Sequence, residues 1–428
     1  MNIAMFTNTF TPHVGGVARS VEAFACAYRS RGHRVLVVAP EVDGRPDHEV
    51  GVVRVPALQH FNGSDFVVPL PVPGWLRSAL VDFEPDVVHA HHPFLLGDTA
   101  LRVASAWTVP VVFTHHTQYE KYTHYVPGDS DALKTFVRDV ALGYANLADA
   151  VIAPSRSIAD LLGEAGVTVR IAVIPTGFDP AVFHSGPGGA TRHRLHIPPA
   201  AFVIGHVGRL APEKNLDFLV RAVLHAMRRR PHAHLLLVGD GPSAAGLQAA
   251  AQRAGLASRV RMTGVLLGGE LAEAYRAMDA FAFASQTETQ GMVVTEALAT
   301  GIPVVALDAP GVREVVRDGV NGRLLAPLDE RGFTRALLQS IDLPGATQGA
   351  LRRAAADSVG AFTIERTADL ALELYGSLRR VRRAGTPAPD SLLERTLRRI
   401  KRELAILMNL AEAAGAAVVD EMGRREIL

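Results

Sequence analysis

The residues best suited to chemistry lie in one stretch, Ser285-Gln286-Thr287-Glu288-Thr289-Gln290-Gly291-Met292-Val293-Val294-Thr295-Glu296, with seven residues between Glu288 and Glu296. The apolar run Ala280-Phe281-Ala282-Phe283-Ala284 precedes it with the length of a buried parallel strand, and a helical pattern ending at Gly301 follows. In an open parallel sheet, that order sets the polar loop at the carboxyl ends of the strands, where ligands bind. Gly291 lets the backbone approach a ligand. The amides of Gly291, Met292 and Val293 open the helix as unpaired donors that attract an anion. Both carboxylates then line one crevice at different depths, and a carboxylate accepts two sugar hydroxyls. The same spacing also fits two surface glutamates on a helix, so the pattern needs support elsewhere in the chain.

Arg209 and Lys214 give that support. They follow the strand pattern at 202–207 and Gly208, at the same sheet edge as Glu288. Arginine grips phosphate oxygens in bidentate fashion and lysine adds a point charge, enough to neutralise most of a diphosphate without a metal. In the first half, the strand at 2–6 leads into Thr7-Asn8-Thr9-Phe10-Thr11-Pro12-His13-Val14-Gly15-Gly16, before a helix from about 18 to 31. The Gly15-Gly16 pair permits a tight turn whose amides face a ligand, although such pairs also occur in plain loops.

Two further strand ends carry histidines, at His89-Ala90-His91-His92 and His115-His116. Zinc is one reading, but neighbouring histidines on an extended segment diverge, and no carboxylate or cysteine spacing completes a ligand set. Asp129-Ser130-Asp131 has no preceding strand and reads as solvated acid. Tyr119, Lys121 and Tyr122 fall in a segment that mixes aromatic with hydrogen-bonding groups, a composition suited to sugar or glycerol hydroxyls.

The paired glutamates resemble the motif of the family-4 retaining glycosyltransferases. The resemblance implies an α/β fold with two Rossmann-like domains facing a central cleft, the GT-B fold, and covers roughly residues 2 to 375. It implies that Glu288 sits by a donor hexose and Glu296 binds a ribose, with Gln290, Gly291, Met292 and Val293 between them holding hexose hydroxyls and phosphate. Arg209 and Lys214 then bind the diphosphate with Gly15 and Gly16, Met262 lies where the backbone meets the nucleobase, and His116 lies near donor hexose and acceptor. His116, Glu288, Arg209 and Lys214 become the catalytic set, and His91 and His92 line the acceptor side with Tyr119, Lys121 and Tyr122. His-His-Pro-Phe-Leu-Leu-Gly, Thr-His-His-Thr-Gln-Tyr-Glu-Lys-Tyr and Glu-Thr-Gln-Gly look most like the diacylglycerol glucosyltransferase branch. Thr176 and Phe178 depart from the family's Asn-Gly-Val-Asp at the hinge.

These features predict a retaining, metal-independent hexosyltransferase without a cofactor, with UDP-glucose as donor and a diacylglycerol-type lipid as acceptor. A small soluble or phosphatidylinositol-type acceptor with GDP-mannose stays open. So do an epimerase or hydrolase on the same fold, and a non-enzymatic sugar-nucleotide or membrane-binding scaffold.

The elements that must position these residues follow from alternation. Apolar runs at 2–6, 34–39, 86–89, 110–114 and 150–153 separated by helical lengths imply parallel βαβ units. The Gly- and Pro-rich residues 174–189 read as a linker, giving domains at 1–183 and 184–362 and C-terminal helices over 363–428 that cross back to the first domain. Residues 61–76 combine proline with apolar side chains and read as a loop, either docked on the core or offered to an acyl chain or membrane. In the tail, Leu393, Leu397, Ile400, Leu404 and Leu407 form one helical stripe, opposite Arg395, Arg398, Arg399 and Arg402. That stripe suits packing on the catalytic domains, a second copy of the helix, or an anionic membrane, the last helped by Arg379, Arg380, Arg382 and Arg383.

With 44 basic against 43 acidic residues, the chain has no global field for nucleic acid. Its single cysteine, Cys26, suggests a reducing cytoplasm and a packing role. The first residues lack a signal peptide's basic region and apolar core, and no run approaches the roughly 20 apolar residues of a spanning helix. A cytoplasmic protein, peripheral on the inner membrane face if lipid is its acceptor, is therefore expected.

Overall fold

The computed structural model describes residues 1–46, 48–59, 67–70, 73–125, 128–326, 328–384 and 392–425. It divides into two units, Met1–Gly177 with Glu365–Leu428, and Phe178–Ile364.

The first unit is built on strands β1 (Asn2–Phe6), β2 (Arg34–Pro40), β3 (Val52–Val55), the short antiparallel pair β4 (Ala57–Leu58) and β5 (Val68–Pro69), then β6 (Val87–Ala90), β7 (Val111–Thr114), β8 (Ala150–Ala153) and β9 (Arg170–Val173). All but β4 and β5 form one seven-stranded parallel sheet in the order β3-β2-β1-β6-β7-β8-β9. Its central strands are apolar and buried because helices cover both faces; Ile3, Met5, Phe6, Val87 and Val88 are fully enclosed. The strand order reverses between β1 and β6, which pair with Ile3 opposite Val87 and Phe6 opposite Ala90. The crevice of this sheet therefore opens beyond Phe6 and Ala90.

The second unit repeats the design with β10 (Phe202–Val207), β11 (Ala233–Val238), β12 (Val260–Met262), β13 (Ala280–Phe283), β14 (Val304–Leu307) and β15 (Gly322–Leu325), all parallel, in the order β12-β11-β10-β13-β14-β15. Here the reversal lies between β10 and β13. The loops beyond Val207 and Phe283 thus meet at the switch point, and these are the loops that carry Arg209, Lys214 and Glu288.

Several expectations change. Residues 61–76 are not one loop: Val68–Pro69 pairs with Ala57–Leu58, and a helix runs from Pro73 to Phe83. Proline is welcome at a first helical position, where its missing N–H costs nothing. Residues 60–66, 71 and 72 lie outside the described residues. Cys26 was expected to pack, but it is exposed on the helix Gly16–Ser30, whose buried face is Val21, Phe24, Ala25 and Tyr28.

The helix Ile364–Ala384 plants Tyr375 in the core of the first unit, where its hydroxyl lies 2.7 Å from His89 Nδ1 and 3.1 Å from Tyr28 Oη. Arg379 pairs with Asp86 and Arg382 with Asp149, so half of the expected basic cluster is spent inside the protein. The last helix, Leu392–Arg425, packs on the helices Leu96–Trp107 and Asp131–Leu147. Its orientation is the reverse of a simple amphipathic expectation: Arg402 donates to Leu147 O, while Leu397, Ile400, Leu404 and Leu407 face solvent. Leu393 carries no described side chain. Among the described residues, no helix is long and apolar enough to cross a membrane.

Candidate active site

In the second unit, Lys214 Nζ donates to Glu288 Oε1 at 2.7 Å, and both side chains are only 18 % exposed. The contact crosses the switch point, from the 3-10 turn Pro212–Lys214 after β10 to the loop after β13. Two weaker bonds tie the same loops: Asn215 Nδ2 to Ala284 O and Thr287 Oγ1 to Glu213 O. Burial pushes the Glu288 carboxyl up, but the charge and hydrogen bond of Lys214, a bond from Ser285 and the charge of His206 outweigh it and hold the group below its ordinary value. A buried carboxylate is kept ionised beside a cation. Arg209 sits half-buried in the same loop, directly after Gly208.

The helix Met292–Ala299 begins as expected. Gly291 caps it with φ +70°, left-handed backbone that glycine adopts without strain. The loop before it rests on Gly311: a Cβ there would lie 2.6 Å from Gln290 N and Thr289 C, so only glycine allows this approach. Gln290 is buried, and Met292 and Val293 are half-buried. Glu296 is 1 % exposed, and its Oε2 accepts from the Tyr275 hydroxyl at 2.9 Å, which also reaches Val293 O. The two glutamates thus lie at different depths. Met262 ends β12, and the turn after it is fixed by Gly239 N donating to Gly264 O.

In the first unit, Gly15 caps and Gly16 opens the helix after β1. Asn8 fastens this loop to the end of β6: its amide donates to His92 Nδ1, its Nδ2 to Phe94 O, and its Oδ1 accepts from Leu96 N. His91 Nδ1 lies 2.9 Å from His116 Nε2, which joins the segments that follow β6 and β7, and His89 Nε2 lies 2.7 Å from Thr114 Oγ1. His91 is fully buried, His92 nearly so, and His116 half-buried. Burial first, and the neighbouring histidines second, push His91 and His116 well below the usual imidazole range; burial alone takes His89 and His92 to about 3 and His115 to about 4. These rings are neutral hydrogen-bonding groups at neutral pH. Tyr119 is not on an open surface: its ring is buried, edge-on to Phe94 and His115. Lys121 is exposed and Tyr122 half-buried. Ser130 caps the helix Asp131–Leu147, and Asp129 accepts from Thr123 Oγ1.

The structure adds Asn8, Tyr275, Gly311 and the Tyr28–Tyr375–His89 chain to the residues read from sequence. Of these, His89 had a usable signal: it stands two residues from His91 on a strand and therefore shares its face.

This histidine core has a pH consequence. A histidine whose folded pKa lies below its unfolded value binds fewer protons when folded, so stability is lost as pH falls below about 6.5 and until the folded pKa is reached. With His89, His92 and His115 held at about 3 to 4, the first unit should lose roughly 4 kcal/mol per pH unit once well below 6.5. In the second unit burial takes His206 to about 4 and lowers His234 as well. Urea denaturation followed separately for each unit should show the first weakening more steeply between pH 7 and pH 5, windows set by those values.

Residues 14–182 match the family described as Glycosyltransferase Family 4, and residues 201–342 match the Glycosyl transferases group 1 description. Among relatives, a GDP-mannose-dependent alpha-mannosyltransferase of Mycobacterium tuberculosis is 34 % identical over 77 % of this chain and 85 % of its own. The chain belongs to the family-4 glycosyltransferases. An alpha-monoglucosyldiacylglycerol synthase of Streptococcus pneumoniae is 29 % identical to this glycosyltransferase, over 80 % of this chain and 78 % of its own. A D-inositol 3-phosphate glycosyltransferase of Actinosynnema mirum is 35 % identical, over 69 % and 73 %. Solved structures that share the glycosyltransferase's GT-B fold include a sucrose-phosphate synthase from Thermosynechococcus elongatus, with TM-score 0.72, 21 % identity and coverage of 89 % of this chain and 99 % of that one. The Anabaena protein HepE, solved in complex with UDP-glucose, superposes with TM-score 0.68 at 24 % identity, over 88 % and 99 %.

Proposed function

We propose that this glycosyltransferase is a retaining hexosyltransferase that takes glucose from UDP-glucose and delivers it to the hydroxyl of a diacylglycerol-type lipid, without a metal. The observation that carries the donor half is the Lys214–Glu288 pair, which joins the loop of Arg209 to the loop that ends in the Gly291 helix start at the switch point. As the bond from the anomeric carbon to the diphosphate oxygen breaks, negative charge grows on the phosphate and positive charge on the sugar. Arg209, Lys214 and the amides of Gly291, Met292 and Val293 stabilise the former; Glu288 faces the latter. The acceptor oxygen bonds to the anomeric carbon on the face that the phosphate leaves, and its proton passes to a phosphate oxygen. The configuration is thereby retained.

Glu296 and the turn after Met262 hold the nucleoside, the first through the ribose hydroxyls. In the first unit, Gly15 and Gly16 contribute to the diphosphate and neutral His116, held by His91, orients the sugar. His92, Lys121 and Tyr122 are assigned to the acceptor, while buried Tyr119 shapes that surface from beneath. A lipid acceptor places the enzyme at a membrane surface, peripherally and on the cytoplasmic side. The likeness to a diacylglycerol-type synthase supports that acceptor. A second reading, GDP-mannose-dependent transfer to a soluble or inositol-type acceptor, is favoured by the higher identity to the relatives with those names.

A product screen by mass spectrometry decides between them, with UDP-glucose and GDP-mannose each offered lipid extract, inositol phosphate and small polyols. The first reading predicts a hexosyl-diacylglycerol from UDP-glucose in the presence of a chelator. A hydrophilic product made efficiently without lipid would overturn it.

A further inference from the structure

The helix Leu392–Arg425 turns one face inward and leaves the other exposed among the described residues. Inward, Ile406, Ala413 and Ala417 are buried, Asn409 Nδ2 donates to Val140 O, and Thr135 Oγ1 donates to Asp420. Outward, Leu397, Ile400, Leu404, Leu407 and Met408 are 46–60 % exposed. Contiguous apolar surface of this kind marks a contact site.

Its spacing indicates what kind. Leu397, Ile400, Leu404, Leu407, Ala411, Ala414 and Val418 alternate in steps of three and four, the 3.5-residue seam of paired helices. The bulky side chains occupy the first half of that seam and the alanines the second. In a parallel pair Ala411 would meet Ala411 and leave a gap. In an antiparallel pair Leu404 layers with Leu407 of the second copy, Ile400 with Ala411 and Leu397 with Ala414, so that large faces small. The same register sets exposed Lys401 beside Glu412 of the second copy, a complementary pair on each side of the axis. Anionic lipid fits the face poorly: Glu394 and Glu412 border it with Lys401, and Arg402 is turned into the protein. We propose that a second copy of this chain covers this face, the two helices running antiparallel about a two-fold axis between Leu404 and Leu407.

Analytical ultracentrifugation of the full chain tests this. The native protein should sediment as a dimer at micromolar concentration, and Leu404→Glu as a monomer with unchanged circular dichroism, because the position is exposed in the protomer. Lys401→Glu should weaken the dimer at least tenfold, and Lys401→Glu with Glu412→Lys should restore it. In a Cys26→Ser background, Ile400→Cys with Ala411→Cys should give a disulfide-linked dimer. Leu397→Cys alone should not, since residues 397 and 414 are 17 positions apart, about 26 Å along the helix. The proposal is overturned by a monomeric native protein, by a dimer that survives Leu404→Glu, or by cross-linking through Leu397→Cys but not the pair. It is equally overturned if the native protein stays monomeric and binds phosphatidylcholine–phosphatidylglycerol vesicles in a manner abolished by Leu404→Glu.

Discussion

Lys214→Ala is expected to lower kcat/KM by roughly two to three orders of magnitude, the loss typical when one preorganised group that stabilises developing charge is removed. Most of the effect should fall on kcat, because charge on the diphosphate is greater in the transition state than in the bound donor. The substitution has a second, separable consequence. Glu288 keeps its buried position without its cation, and burial, which already pushes its carboxyl up, then prevails. Leaving one buried charge unpaired costs about 2–3 kcal/mol for a pair enclosed to this degree. Lys214→Met combined with Glu288→Leu removes both charges and should return most of the stability while activity stays at least as low as in Lys214→Ala. Full activity in Lys214→Ala would remove the basis of the donor site proposed for the second unit.

Glu296→Ala should reduce kcat/KM by about two orders of magnitude, chiefly through KM for the donor, if its carboxylate accepts two ribose hydroxyls as charged hydrogen bonds. Tyr275→Phe is the informative companion. The Tyr275 hydroxyl donates to Oε2 of Glu296 and reaches Val293 O, so it aims the carboxylate. Its removal should cost about tenfold in KM and little in kcat. Equal KM values for native protein and Glu296→Ala would show that the ribose is held elsewhere.

Much of the second unit was legible because its chemistry is contiguous in sequence. Glu288, Gln290, Gly291 and Glu296 follow a fully apolar strand, and Arg209 and Lys214 follow another, so the switch-point rule alone brings them together. What the sequence hid were contacts with no local signature. Gly311 is one of many loop glycines until its approach to Gln290 is seen, and Tyr275 lies on a helix 21 residues before the carboxylate that it holds. The edge strands β3, β9 and β15 were also missed. Each is only four residues long, and an arginine, Arg54, Arg170 or Arg323, leaves at most three consecutive apolar residues in it, too short a run to mark a strand.

Burial was the hardest quantity to foresee. Tyr119 has the composition of a binding residue and the position of a core residue. Cys26 sits between two buried alanines, yet one helical step of 100° turns it to solvent. In the last helix, periodicity located the leucine stripe but not which side of the helix the protein would claim. Arg402 and Asn409 find backbone acceptors on the helix Asp131–Leu147, and those bonds set the rotation.

The central claim is that fixed cations and helix-start amides of the second unit receive the donor's diphosphate without a bridging metal. A crystal structure of the protein with UDP, grown in a chelator, tests this most directly. The account predicts both phosphates within hydrogen-bonding distance of Arg209, Lys214 and the amides of Gly291 to Val293, with the uracil against the backbone that follows Met262. Phosphates bound away from these groups, or UDP that binds only when a divalent cation is supplied, would contradict it.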